Sequence, residues 1–393
     1  MNRFFLHFSL LLILITSISY SLPRFSLKTG GQCIDCHVNP TGGYIRNESG
    51  WSYGKNNLSM VRVHKSDDEF ELSPLIGKNI LFGFDYRTQY LTTERYRIID
   101  FPANSPPETS YTKRSGFQNM TGSVYFNAAA SDEINLFARY DFVWQLWEAY
   151  AVAHVLPGNG YLKAGTFTPN YGIRIDDHTA YTRGGDLSLL SQSGVKRGLV
   201  YSPLYLETGI EIGYYIFDFG LITASVANPR GSLFKTDPAY TARIELVPPI
   251  SDDFNLMVGG SFATYKEERF DNITFTPFVQ GVNMYGGFFG FGFGNFSIMG
   301  DYNIAANLPV KDSSASALMI EASYKLMRGL EAVVRYDRFD LNTKIDKNEL
   351  SRFVIGAEIF PYSFIEIRPQ YRINIEEPKI DNNSFVLQFH FWY

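Results

Sequence analysis

From about residue 78 to the last residue, apolar and polar side chains alternate with a period of two in segment after segment, and this leaves few folds open. In NILFGFDYRTQYL, Ile80, Phe82, Phe84, Tyr86, Thr88 and Tyr90 fall on one face, while Leu81, Gly83, Asp85, Arg87 and Gln89 fall on the other. Successive side chains of a strand point to opposite sides of the sheet, so one face is greasy and the other mostly polar. IEIRPQYRINIE repeats the split, with Ile365, Ile367, Tyr371, Ile373 and Ile375 opposed to Glu366, Arg368, Gln370, Arg372, Asn374 and Glu376. Pro369 removes a ladder donor there, so a bulge or irregular pairing is expected around it. A single such strand would suit a secreted sandwich equally well. The number and length of the segments decide the matter.

Turn residues punctuate the pattern into spans near 78–91, 116–129, 134–145, 147–155, 161–168, 196–216, 219–228, 239–247, 254–266, 274–293, 295–306, 316–326, 330–341, 350–360, 363–375 and 384–393, about sixteen strands. Short connections, such as 131–133, 217–218, 251–253, 327–329 and 361–362, alternate with generally longer and more polar ones at 94–115, 169–195, 229–238, 307–315 and 376–383. Short turns at one end and long loops at the other are the pattern of outer-membrane barrels, and an even strand count puts both barrel termini on the short-turn, periplasmic side. No stretch after the N-terminus is long and apolar enough for a membrane helix. Aromatic residues make up 16% of the chain, with 26 Tyr and 33 Phe, which suits strands lying between lipid and a polar lumen. The ending SFVLQFHFWY has aromatic or aliphatic residues at every second position back from Tyr393. It resembles the terminal strand by which outer-membrane barrels are recognised for insertion. The expected fold is therefore all-β: a transmembrane antiparallel β-barrel of about sixteen strands in the bacterial outer membrane, wide enough to leave a lumen that the wall alone does not fill.

The N-terminus reads as an export signal over 1–21: Arg3, an apolar run from Phe4 to Ile15, then small residues at Ser19 and Ser21. The chain has two cysteines, and both lie in Cys33-Ile34-Asp35-Cys36-His37, which matches C-x-x-C-H, the attachment site of a c-type haem. The chemistry needs this spacing, because each thiol adds to one vinyl group of the porphyrin and the adjacent histidine is then held beneath the iron. A Cys33–Cys36 disulfide is the bland alternative; a zinc site lacks a second ligand pair. The sixth iron position is open between Met60, which would raise the potential, His64, which would generally lower it, a barrel residue, and no protein ligand. The segment 22–77 is small for an independent cytochrome and is expected to lean on haem and on the wall of the barrel spanning 78–393, as a plug in its lumen.

A signal peptide, one C-x-x-C-H close behind it and a barrel ending in an aromatic resemble the fused monohaem cytochrome–porin family of bacterial outer membranes. Asn39-Pro40-Thr41-Gly42-Gly43 also resembles the segment that follows the haem site in related exported cytochromes. The resemblance implies one covalent haem c on Cys33, Cys36 and His37. It also implies oxidation of extracellular Fe(II) or a similar donor, with the electron passed to a periplasmic cytochrome. The alternatives are electron export to an external acceptor, and a diffusion porin or uptake channel with the haem segment as plug or sensor. The net charge of −5 without a basic stripe argues against a nucleic-acid partner. Outer-membrane lipid is the expected surround, and a homo-oligomer, as in many porins, is compatible with the sequence and not specified by it. The long connection 169–195 carries Arg174, Asp176, Asp177, His178 and Arg183 at the position of the loop that folds inward in general porins. A charge pair at a constriction is the commoner use of such residues, and an Fe(II) site the sharper one. Asp85, Arg87, Arg139, Asp141, Glu321, Lys325, Arg335 and Asp337 are expected to form a salt-bridged lumen wall.

Overall fold

The computed structural model describes residues 23–61, 73–100, 108–175, 177, 179–185, 199, 205–228, 237–251, 253–271, 276–376, 379 and 381–393. The export signal, His64, Asp176 and His178 lie outside the described residues. Among the described residues, sixteen long strands close into one antiparallel barrel. They are β1 (Ile80–Asp100), β2 (Glu108–Ala129), β3 (Ile134–Asp141), β4 (Leu146–Ala153), β5 (Tyr161–Phe167), β6 (Glu207–Ile216), β7 (Gly220–Asn228) and β8 (Ala239–Leu246) in the first half. The second half holds β9 (Phe254–Asp271), β10 (Thr276–Phe293), β11 (Phe296–Ala306), β12 (Ser314–Met327), β13 (Leu330–Asp340), β14 (Glu349–Ile359), β15 (Ile365–Glu376) and β16 (Ser384–Trp392). Each pairs with its neighbour in sequence, and β16 returns to β1 with Leu387 opposite Tyr90. Closure removes the unpaired edges that an open sheet of this length would expose.

Most strand limits fall within a few residues of those read from the alternation, and the exceptions have physical reasons. β1 and β2 run to 21 and 22 residues, well into the expected loop at 94–115, because backbone pairing continues where Tyr96 faces Thr112 and Asp100 faces Glu108. A ribbon beyond the lipid needs hydrogen bonds and no apolar face. The stretch before Glu207 does not extend β6: Tyr205 and Leu206 are irregular, and 196–204 lies mostly outside the described residues. Pro369 causes no bulge. Gly356 opposite Gln370 and Ile359 opposite Ile367 share one register, with the rungs between them missing. Gly356 meets the Pro369 carbonyl at a spot where a Cβ would stand 2.5 Å from that oxygen, so the proline is accommodated by a glycine instead of an extra residue.

The outward faces carry Phe117, Trp147, Ile210, Tyr285, Phe289, Phe353 and Ile355, all exposed. A continuous apolar surface of this kind belongs in a bilayer. The inward faces carry the charge. Arg139 pairs with Asp141 at 3.1 Å and Glu148 at 3.4 Å, Lys163 with Glu211 at 2.6 Å, Arg352 with Asp337 at 3.0 Å, and Arg368 with Glu366 at 2.7 Å. The expected wall of ion pairs is thus present, with one correction: Lys325 lies exposed at the end of β12, where its backbone N–H donates to Asn295. It sits at the rim, where it lines a pocket with Lys28 and Thr29 of the plug.

Two segments fill the lumen. Residues 23–61 enter at the end that carries the short turns, as helix α1 (Pro23–Thr29), a tight turn at Cys33–Asp35, and helix α2 (Glu48–Tyr53) running into a wider turn at Gly54–Leu58. Asn47 caps α2 by accepting from the Gly50 N–H at 2.9 Å. Leu27 of α1 is buried against Gly290 and Gly292 of β10, where a Cβ on Gly292 would stand 1.8 Å from the Leu27 carbonyl oxygen. Ile45 joins Leu81, Tyr125, Phe137 and Tyr150 in a buried cluster, and Trp51 packs on Phe364 and Tyr393. Each such side chain contributes about 1.5–3 kcal/mol by leaving water. The plug is also held by charge: Arg24 bonds Glu321 at 2.9 Å and also Glu358, while Lys28 bonds Glu331. Its exit is tied to the rim, with the Met60 N–H donating to the Phe360 carbonyl at 2.8 Å.

The second segment is the connection after β5, which folds inward as expected. Tyr171, Tyr181 and Leu199 are buried with Ala263, Met284, Ala317 and Phe339 of the wall. Arg352 donates to the Thr179 carbonyl at 2.8 Å, and Arg243 to the Gly172 carbonyl at 3.0 Å. Plug and loop meet where Arg174 donates to the Gly42 carbonyl at 2.9 Å.

Candidate functional site

The cysteine motif occupies a tight turn inside the barrel. The N–H groups of Cys36 and His37 both donate to the Cys33 carbonyl, at 3.3 and 3.0 Å, and the Gln32 N–H donates to the Asp35 carboxylate at 2.8 Å. Burial pushes the Asp35 carboxyl up, and that backbone donor opposes the shift. Asn47 locks the turn from the other side: its backbone N–H donates to the Cys36 carbonyl at 2.9 Å, and its side-chain amide to the carbonyls of Ile34 at 3.1 Å and Asp35 at 3.2 Å. Gly50 lets α2 lie directly on the turn, because a Cβ there would stand 2.2 Å from the Cys36 carbonyl oxygen. His37 pairs with Arg46 across an antiparallel bridge.

The stretch Asn39–Gly43 forms a compact bend beside this turn. The Asn39 side chain donates to the Gly42 carbonyl at 2.9 Å, and Lys163 of β5 reaches Asn39 at 3.4 Å. Gly42 and Gly43 have φ of +78° and +82°, which side chains resist. A Cβ on Gly42 would also stand 3.1 Å from the Cys33 sulfur.

No disulfide joins Cys33 to Cys36 in this structure. Cys36 lines a cavity between plug and wall. Four guanidiniums reach it, from Arg24, Arg46, Arg174 and Arg368, beside the apolar surfaces of Phe25, Ile175, Met299 and Trp392. Arg46 lies over the Trp392 ring at 4.0 Å. Tyr53 borders the same space; burial, with Cys36 nearby, pushes its hydroxyl up to about 12, so it is a neutral phenol there. His390 of β16 also borders it, with Nδ1 at 2.8 Å from Glu366 and Nε2 at 2.8 Å from Asp85.

The C-x-x-C-H turn supplies the residue types to which a c-type haem would attach, and of these Cys36 lines the cavity. That cavity mixes apolar side chains with guanidiniums, of which Arg24 and Arg368 are paired with Glu358 and Glu366 of the same lining. Cys33 and His37 lie on the same turn without lining the cavity, and His37 is buried. Met60 is half exposed at the rim beside Gly329, outside the cavity lining, and His64 is outside the described residues.

The inward loop settles into structural roles. Burial pushes the Asp177 carboxyl up, and the guanidiniums of Arg335 at 2.8 Å and Arg372 at 3.8 Å outweigh this, holding it well below the usual carboxylate range. Thr179 donates to the same carboxylate at 2.6 Å from its hydroxyl, and Arg183 donates to the Tyr171 carbonyl at 3.2 Å. Among the described residues no group of three or more His, Cys, Asp or Glu side chains is placed to hold a metal ion. The charge-pair use of this loop is therefore the one its described residues display.

Fold and lumen together define a porin-type barrel with a plugged lumen. Solved structures share the fold at low sequence identity. The outer membrane channel DcaP of Acinetobacter baumannii superposes with a TM-score of 0.54 at 11% identity, over 80% of this chain and 97% of that one. OprB of Pseudomonas putida gives 0.55 at 10% identity, over 80% and 94%, and an anion-selective porin from Comamonas acidovorans gives 0.53 at 9%, over 80% and 99%. No family model matches the sequence, and no curated protein matches it.

Proposed function

We propose that the chain is an outer-membrane electron conduit: a barrel whose plug carries one covalent haem c on Cys33, Cys36 and His37, oxidising extracellular Fe(II) or a similar donor for a periplasmic acceptor. The observation that carries this reading is the placement of Cys36, from a C-x-x-C-H motif, on an arginine-lined cavity inside the cylinder. When bound, the group supplies a one-electron site within a wall that otherwise insulates. The chain's own residues do the rest. Arg46, Arg174 and Arg368 would hold its carboxylates, Phe25 and Trp392 would flank the ring, and the packed plug and loop exclude bulk water. Fe(II) as substrate gives up one electron and leaves as Fe(III), and the electron continues to an acceptor at the short-turn end. That end, with both barrel termini, is taken as periplasmic. Filling of the lumen by 23–61 and by the inward loop also supports the reading, since a simple diffusion pore needs an open path.

The solved barrels that share the fold are channels, and this likeness favours a second reading: a diffusion porin or uptake channel in which 23–61 is a plug or sensor. One preparation separates the two. Protein made with the cytochrome maturation machinery should carry pigment that survives denaturing electrophoresis, and stopped-flow mixing with Fe(II) should reduce it on a turnover timescale. No covalent pigment, together with solute flux through the protein in liposomes, would establish the channel instead.

A further inference from the structure

We propose that the pocket between plug and rim at the short-turn end binds a small soluble oxyanion, a phosphate or a carboxylate, held between Lys28 of α1 and Lys325 of β12. Neither the cysteine motif nor an open path through the lumen takes part in it, so the site is independent of the function read above. Lys325 keeps the inward alternation of its strand, and at the rim its side chain is exposed and lines the pocket. The carboxylate directly across the strand pair, Glu331, is engaged by Lys28 and has Arg24 at 3.8 Å. Among the described residues the Lys325 ammonium is therefore left without a carboxylate. Two ammoniums and one carboxylate give the pocket a positive charge, to which Arg328 on the adjoining turn adds; its guanidinium is fixed by donating to the Ser59 carbonyl at 2.7 Å.

The neutral lining suits the same ligand. The side-chain amides of Asn57 and Asn295 line the pocket and make no hydrogen bond among the described residues, and the Tyr53 phenol lines it as well. Each can donate to an oxygen. A cation would instead meet two ammoniums and a carboxylate whose charge is already neutralised. Charge-assisted hydrogen bonds to an oxyanion are the strong kind, and a lysine serves a phosphate as a point charge without a fixed fork. Leu330 and Phe360 give the pocket an apolar side for the carbon part of an organic acid. Because Lys28 belongs to the plug and Lys325 to the wall, an anion held by both ties one to the other.

The test is protection of one amine. Full-length protein in uncharged detergent is acylated with a limiting N-hydroxysuccinimide ester and read lysine by lysine by mass spectrometry. With inorganic phosphate at twice its dissociation constant, Lys325 should react about threefold more slowly than in chloride of equal ionic strength. Lys344 and Lys379, exposed at the long-loop end, are the internal standards and should not change. Lys28→Gln, which leaves Glu331 beside Arg24, should abolish the protection of Lys325, and Lys28→Arg, which keeps the charge, should retain it. Lys325 unprotected in wild type, slowed no more than the two standards, or fully protected in Lys28→Gln overturns the site; the wild-type arm decides even if Lys28→Gln does not fold. Reconstitution distinguishes the source of the oxyanion. Protection in phosphatidylglycerol vesicles without added phosphate, and none in phosphatidylcholine vesicles, makes it a lipid headgroup and overturns a soluble ligand.

Discussion

The plug's hold on the wall is testable through Arg24. Its guanidinium bonds Glu321 and Glu358, and its side chain is 12% exposed against 5% and 6% for the two carboxylates. In Arg24→Met the stem and its packing are kept and the charge is lost. Neither carboxylate is orphaned, because Glu321 retains Arg335 at 3.5 Å and Glu358 retains Arg368 at 3.2 Å. The loss is then that of charge-assisted hydrogen bonds, about 2–3 kcal/mol, and not the larger cost of an unpaired buried ion. That converts to a roughly 30- to 150-fold rise in the undocked population, at about 1.4 kcal/mol per decade. Protein made without haem attachment supplies the reporter, since Cys33 and Cys36 are then the only thiols in the chain and Cys36 is buried while the plug is docked. Alkylation in folded barrels proceeds through opening, so its rate should rise by the same factor. Adding Glu358→Gln, which needs no counter-charge, should return part of the increase. Arg338→Met, which breaks a pair exposed on both sides, is the control and should leave the rate unchanged. A less than threefold change in Arg24→Met, or an equal change in Arg338→Met, would refute the electrostatic latch.

Three further outcomes are expected. Gly54→Val places a Cβ 2.1 Å from the Trp392 ring, so α2 should be pushed off the wall and single-channel conductance in planar bilayers should increase, at a cost of about 1–3 kcal/mol of packing. Asp177 has its carboxyl held below the ordinary value of about 3.9, so its hold on the inward loop is fully present above that pH and is lost only as pH falls through the lower folded value. Wild-type conductance should therefore stay flat through mildly acidic pH and rise only in strong acid, whereas Asp177→Asn should conduct more at neutral pH and lack the acid transition. Deleting Tyr393 removes a backbone pair with Phe84 and contacts to Trp51 and Phe364, and should lower the temperature of heat modification on gels.

How much of this was legible in the sequence depended on the range of the interaction. Period-two alternation is local, and it marked the β strands, their order and the short and long ends. It failed where backbone pairing continues past the alternation, at β1 and β2 beyond Leu91, and at the rim, where Lys325 keeps the alternation of the strand yet lies exposed. The cysteine motif was legible because both thiols and the histidine fall within five consecutive residues. The plug's docking was legible only in outline, from the smallness of 22–77 beside a wide lumen. Residues that depend on partners outside their own segment were invisible: Asn47, whose amide clamps the motif turn, and Arg46, whose ring partner Trp392 is far along the chain. Met60 and His64 drew attention through proximity in sequence, yet Met60 sits at the rim because the chain is already leaving the lumen there.

The final two residues belong to both the cylinder and its stopper. Trp392 sits on the seam beside β1 while its ring takes up the place a side chain on Gly54 would need, and Tyr393 bonds the backbone of Phe84 and meets Trp51 edge to face. Loosening these two side chains would therefore weaken the seam of the wall and the seating of the plug together.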